Sequence, residues 1–183
     1  MMHTKQFYDP VARSFHGIMA VLIVALLAIG LYMADLDPSP DKWKMYNIHK
    51  ATGMIVLALV ALRLWWRMTH IFPAPSTAHP KWERTLARLV HFLLYFAMIV
   101  MPISGYVMSS AGGHPISIFG WFNIPLFIDK NPELGEVAEE CHELGGTALM
   151  GALGLHIIGS LKHHFIDRDS TLSHMFQWLK PRG

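Results

Sequence analysis

Charge and cysteine are both scarce in this chain. Of its 183 residues only 15% are Asp, Glu, Lys or Arg, against roughly 25% in a soluble globular domain. Hydrophobic residues make up 52% of the chain, which excludes a disordered segment kept open by its own charge. The lone cysteine, Cys141, excludes an intrachain disulfide scaffold and a cysteine-rich metal centre, and reads as a small packing residue. Basic residues are few and spread along the chain, and the formal net charge is only +2, which argues against a nucleic-acid partner. What the chain has in quantity is apolar residues, with a mean hydropathy of +0.32, and twelve histidines.

A hydrocarbon core of about 30 Å needs about 20 helical residues, and four windows of that length stand out. Residues 14–34 form the first, with Asp9 and Pro10 placing the helix start a few residues earlier. Its apolar run is longer than the roughly 7–15 residues of a signal peptide, so it reads as a retained anchor. The expected helices are 10–34, 46–68, 82–108 and 137–165, within a single transmembrane domain over residues 1–183. The expected fold class is an all-α integral membrane protein, a four-helix bundle.

Eleven of the fifteen Lys and Arg residues fall on the side that holds both termini and the loop between the second and third helices. Lys42, Lys44, Lys50 and Lys130 are on the other side, with nine of the thirteen acids. The positive-inside rule then places both termini in the cytoplasm. Residues 116–128 are too short and too interrupted to span, and are expected in the interface or as a cap on the bundle.

His16, His49, His91, His142 and His156 fall inside or at the edges of these helices. Ionisable side chains in lipid are costly and face a bundle interior, so each is a candidate site residue. His142 and His156 lie fourteen residues apart on one helix. That spacing turns about 1400°, only about 40° short of four full turns, and rises roughly 21 Å. Both imidazoles therefore leave one face, at opposite sides of the membrane, and cannot share a metal ion. Topology pairs His49 with His142 at the outer side and His16 with His156 at the inner side, where His91 competes. Small neighbours favour His16 over His91: Gly17 lies beside His16 and Ala20 one turn on, as Thr52 and Gly53 lie one turn from His49, Gly145 and Gly146 from His142, and Gly159 and Ser160 from His156. His91 has Leu94 and Tyr95 instead.

Two imidazoles at each of two depths suit two bis-histidine haems better than tetrahedral zinc. No CxxCH occurs, so attachment is expected to be non-covalent, b-type. A haem-free membrane protein whose histidines line a metal or proton path is the competing class.

The segments YDPVARSFHG (8–17), NIHKATG (47–53), ARLVHFLLYFAMIVMPISGY (87–106), CHELGG (141–146) and GLHIIGSLKHHFIDRDSTLSHM (154–175) resemble the bacterial di-haem cytochrome b-561 family. That family is related to the cytochrome b subunits of hydrogenases and formate dehydrogenases. The resemblance implies a multi-pass protein of the bacterial inner membrane, with axial ligands on the first, second and fourth helices: His16, His49, His142 and His156. It also implies electron exchange with membrane quinone, ubiquinone included, and with a redox protein or a dehydrogenase or oxidase partner. His91, His163, His164, Arg67 and Lys162 are the candidates for quinone or haem-propionate contacts, with Arg63, Arg88, Trp65 and Trp66 nearby. One branch of the relatives oxidises superoxide outside and reduces ubiquinone. The acidic outer side gives an anionic substrate little steering, and suits a cationic redox protein better.

Overall fold

The computed structural model describes residues 8–71, 73 and 79–176. Lys5, Lys180 and Arg182, which enter the charge count above, lie outside them. The order is α1 (Pro10–Ala34), α2 (Pro40–Thr69), α3 (Lys81–Ala111), β1 (Ile116–Ile118), β2 (Phe122–Ile124), α4 (Pro132–Phe165) and α5 (Thr171–Met175). The helices α1 to α4 are each long and apolar enough to cross a membrane.

Three of these four helices begin with the same local device. Asp9, Ser39 and Asn131 accept hydrogen bonds from the backbone N–H of Ala12, Lys42 and Leu134, and each is followed by a proline at the first helical position. The cap satisfies an orphan donor, and the proline ring presets φ where no N–H is needed. This explains why α2 and α4 start at Pro40 and Pro132 rather than near residues 46 and 137. The first turns are polar and stand outside the apolar window, but they are capped, and so remain helical. α3 follows Pro80, runs three residues past residue 108, and keeps Pro102 inside it.

α1, α2 and α3 pack in sequence, and α3 packs along α4. Their shared core is built on Met19, Val56, Val60 and Met98, with Leu26 and Tyr95 against it. Gly145 of α4 admits α3 closely: a Cβ there would lie 2.7 Å from Met101 Sδ. Among the described residues α4 meets the backbones of α1 and α2 at most at isolated points. Large apolar side chains such as Val21, Phe92 and Ile158 face outward, as expected where lipid rather than water surrounds the helices.

The segment 116–128 does cap the bundle. β1 and β2 form an antiparallel hairpin with Ile116 opposite Ile124 and Ile118 opposite Phe122. Its turn holds Phe119 and Gly120 at φ 49° and 81°, a left-handed pair that glycine adopts without cost and phenylalanine does not. Ile116 and Ile118 are buried on Ala51 of α2. Removing the Ile116 side chain leaves a cavity under the hairpin. Ile116→Ala is expected to cost about 2–4 kcal/mol locally, seen as faster hydrogen exchange over residues 112–131 with the transmembrane helices unchanged.

Candidate functional site

α4 supplies one histidine to each end of the bundle. Near its start His142 faces His49 of α2, ring centres 6.2 Å apart and planes at 71°. Further along, His156 faces His16 of α1 at 6.1 Å and 62°. His91 of α3 also approaches His156, at 5.3 Å and 64°. The pairs are separate, one toward each membrane face, as the fourteen-residue spacing requires.

Two imidazoles held on opposite sides of one metal ion, with metal–nitrogen bonds of about 2.0–2.1 Å and ring centres ~1.1 Å beyond, stand about 6.2 Å apart. Both the His49/His142 and His16/His156 separations fit that requirement. The His91/His156 separation, 5.3 Å, departs further from it. These ring positions support His16 rather than His91 as the partner of His156, and the donor set fits a bis-histidine haem at each end.

The backbone prepares the His49/His142 pair. His142 Nδ1 lies 3.0 Å from the Met101 carbonyl and 3.1 Å from Ser104 Oγ, both on α3. A carbonyl only accepts, so Nδ1 carries the proton and Nε2 keeps the lone pair that a metal needs. Two glycines make room for the rings. A Cβ on Gly105 would stand 3.2 Å from His142 Cε1, and one on Gly30 would stand 3.3 Å from His49 Cε1. The Leu26 carbonyl of α1 faces the His49 ring, but no hydrogen bond closes on its buried Nδ1. Of the flanking glycines named from sequence, Gly17, Gly53 and Gly159 border open space, whereas Gly145 and Gly146 face Met101. The last two serve the contact between α3 and α4 rather than clearance beside His142.

At the other end Arg63 Nη2 donates to His16 Nδ1 at 3.3 Å, and the guanidinium stands 5.4 Å from the centre of the Tyr95 ring. Arginine cannot accept, so the neutral His16 ring carries its proton on Nε2, the reverse of His142. Ligation through Nε2 would require the proton to move to Nδ1 and Arg63 to release that atom, leaving the guanidinium over the Tyr95 ring.

The remaining named residues divide. Arg67 stands over the same Tyr95 ring at 5.8 Å. Lys162 and His163 do not point together into an apolar cleft. Lys162 Nζ pairs with Glu83 at 3.0 Å and Asp167 at 2.8 Å, and His163 Nδ1 lies 2.8 Å from Asp167. The Lys162 hydrogen bond holds the Asp167 carboxyl below the usual carboxylate range, so this pair stays charged until the pH falls through that lowered value. His164 lies edge-on to Phe165 instead. Arg88 bonds within its own helix to Arg84 and Thr85. Trp66 donates to Asp9 and stacks on His70. Sequence reading missed His79, whose ring lies 4.4 Å from that of His163. No spacing pointed to it, since His79 lies in the loop ahead of α3.

Comparison with known proteins gives concordant matches. A family described as "Prokaryotic cytochrome b561" matches residues 7–178. The chain is 32% identical over 175 residues to cytochrome b561 homolog 2 of Escherichia coli (strain K12), covering 94% of this chain and 93% of that protein. It is 28% identical over 131 residues to cytochrome b561 homolog 1 of the same organism, covering 72% and 74%. With the probable superoxide oxidase CybB of Yersinia pestis it shares 25% over 186 residues, the full length of both.

Because the Gly105 backbone and the His142 ring occupy adjacent space, a branched side chain there drives the ring from its position. Gly105→Val is expected to displace the His142 ring and lower the haem absorbance of reduced-minus-oxidised spectra.

Proposed function

The chain belongs to the prokaryotic cytochrome b561 family, and on that premise we propose that it moves electrons across the bacterial inner membrane through two bis-histidine b haems, exchanging them with the quinone pool. Transmembrane electron transfer and haem b follow from the family itself, as does a multi-pass location in the inner membrane. The number of haems, their ligands and the quinone are the further step. The observation that carries it is the pair of imidazole separations, 6.2 and 6.1 Å, on one shared helix.

A haem held by two imidazoles would supply one-electron chemistry and offer no open site to oxygen. The residues of this chain do the rest. His49 and His142 hold the outer group, and the Met101 carbonyl and Ser104 fix the orientation and protonation of His142. His16 and His156 hold the inner group. Arg63, beside His16 and Tyr95, would offer positive charge to an acidic group of that cofactor. His91, against His156, is a neighbour of that group and not its ligand. At the same end His91 and Arg67 provide the quinone contacts, and His163 beside Asp167 can hold and pass the proton that quinone reduction takes up. The excess of Lys and Arg around this end supports a cytoplasmic position. On the opposite face the acidic residues favour docking of a cationic redox protein or a dehydrogenase or oxidase partner.

Superoxide oxidation at the outer haem is the second reading. It is favoured by the full-length similarity to the Yersinia pestis protein and by Lys50, which directly follows His49 and donates to Ser109 at 3.1 Å.

Pyridine haemochrome analysis of the purified chain is expected to return two haems. His142→Ala and His156→Ala are each expected to leave one. His91→Ala is expected to keep both; its loss of a haem alongside an intact His16→Ala variant would reverse the inner assignment. Pulse-generated superoxide in the presence of ubiquinone separates the two readings, since rapid haem reduction marks the oxidase and its absence marks a carrier fed by a protein partner.

A further inference from the structure

A second set of metal-ligating side chains lies away from the four paired histidines, where the start of α3 meets the end of α4. His79 precedes α3, Glu83 is in its first turn, His163 is in the last turn of α4, and Asp167 follows it. One ligand atom from each lies within 4.8 Å of the other three. Asp169 joins them: its Oδ2 is 3.0 Å from His79 Nε2 and 3.3 Å from His163 Nδ1. The turn that returns both aspartates to His163 runs through Arg168 at φ 54°, a conformation disfavoured for a residue with a side chain. Asp169 N–H donates to the His163 carbonyl across it.

We propose that His79, Glu83, His163 and Asp167 form a binding site for a divalent transition-metal ion of the zinc class, which clips the start of α3 to the end of α4. The donor set is two imidazoles and carboxylate oxygens, the hard-to-borderline chemistry that zinc takes in four-coordinate sites. Ligand atoms around such an ion stand about 3.4 Å apart, so closing the site asks for side-chain movements of about an ångström at the rim of the bundle. The imidazoles of His79 and His163, ring centres 4.4 Å apart and planes at 55°, are placed as neighbouring ligands rather than opposed ones. This distinguishes them from the 6 Å pairs inside the membrane.

Charge points the same way. Within the cluster three carboxylates, Glu83, Asp167 and Asp169, face a single ammonium, Lys162, which bridges Glu83 and Asp167. Lys162 occupies the place that a divalent ion would take between those two carboxylates. A doubly charged ion answers the surplus negative charge better than one ammonium does, and Lys162 on the last turn of α4 can swing outward to release it. None of the four residues is a haem ligand in the proposed function, but His163 and Asp167 also form the proton route proposed there, so the test counts bound zinc directly rather than reading quinone reduction.

The test uses the full chain, purified in detergent with its cofactors, stripped with a chelator, reloaded with zinc and freed of excess metal. Zinc per chain is measured by mass spectrometry and affinity by competition with a chromophoric chelator. One zinc per chain is expected. His79→Ala and Asp167→Asn, each with an unchanged haem spectrum as the control for folding, are expected to weaken binding by about 100-fold or more. Lys162→Met, which removes the competing ammonium, is expected to tighten it several-fold. Zinc-edge X-ray absorption on the unmutated chain, with two imidazoles and no sulfur, supports the assignment without any variant. The proposal is overturned if the stripped chain takes up no zinc, if His79→Ala and Asp167→Asn bind as tightly as the parent, if Lys162→Met fails to tighten binding, or if the absorption spectrum shows sulfur from Cys141.

Discussion

An imidazole inside a hydrocarbon layer has to face something that can share its lone pair or its proton, and this constraint organises the bundle. His16, His49, His142 and His156 all meet it by turning toward one another across the space between α4 and the pair α1 and α2. α4 is held along its length by α3 and hardly touches the other two backbones, so the facing rings are what relate it to them. The glycines serve the same end. Gly30 and Gly105 admit the His49 and His142 rings, and Gly145 lets Met101 sink between α3 and α4 so that the Met101 carbonyl can reach His142.

The two ends are built differently. At the His49/His142 end a backbone carbonyl and a hydroxyl fix which nitrogen of His142 is protonated, which leaves the other free to ligate. At the other end a guanidinium occupies the equivalent nitrogen of His16, with Tyr95 supporting it from α3. The outer pair is preorganised, whereas the inner pair exchanges one polar contact for another. Lys162, Glu83, Asp167 and His163 then close the bundle where the chain leaves the membrane.

Much of this was legible in the sequence because helices impose a period. His142 and His156 had to share a face whatever surrounded them, and topology then left few partners at each depth. The choice between His16 and His91 was weaker, because it rested on the small residues near each, and two of the glycines used in that comparison belong to helix packing instead. Helix starts were misjudged at Pro40 and Pro132 for a physical reason: hydropathy measures the fit to lipid, while a cap and a proline set where a helix begins. His79 was unreadable as a site residue, since nothing in a loop says which distant turn it will meet. The engagement of Lys162 and His163 with carboxylates was hidden for the same reason.

The single rod that carries both inward-facing rings has a mechanical corollary. A rigid helix cannot slide or roll at one end alone, so any displacement of α4 moves His142 and His156 together. The two histidine pairs are thus geared to one shaft, and a partner that leans on either end of it speaks to both.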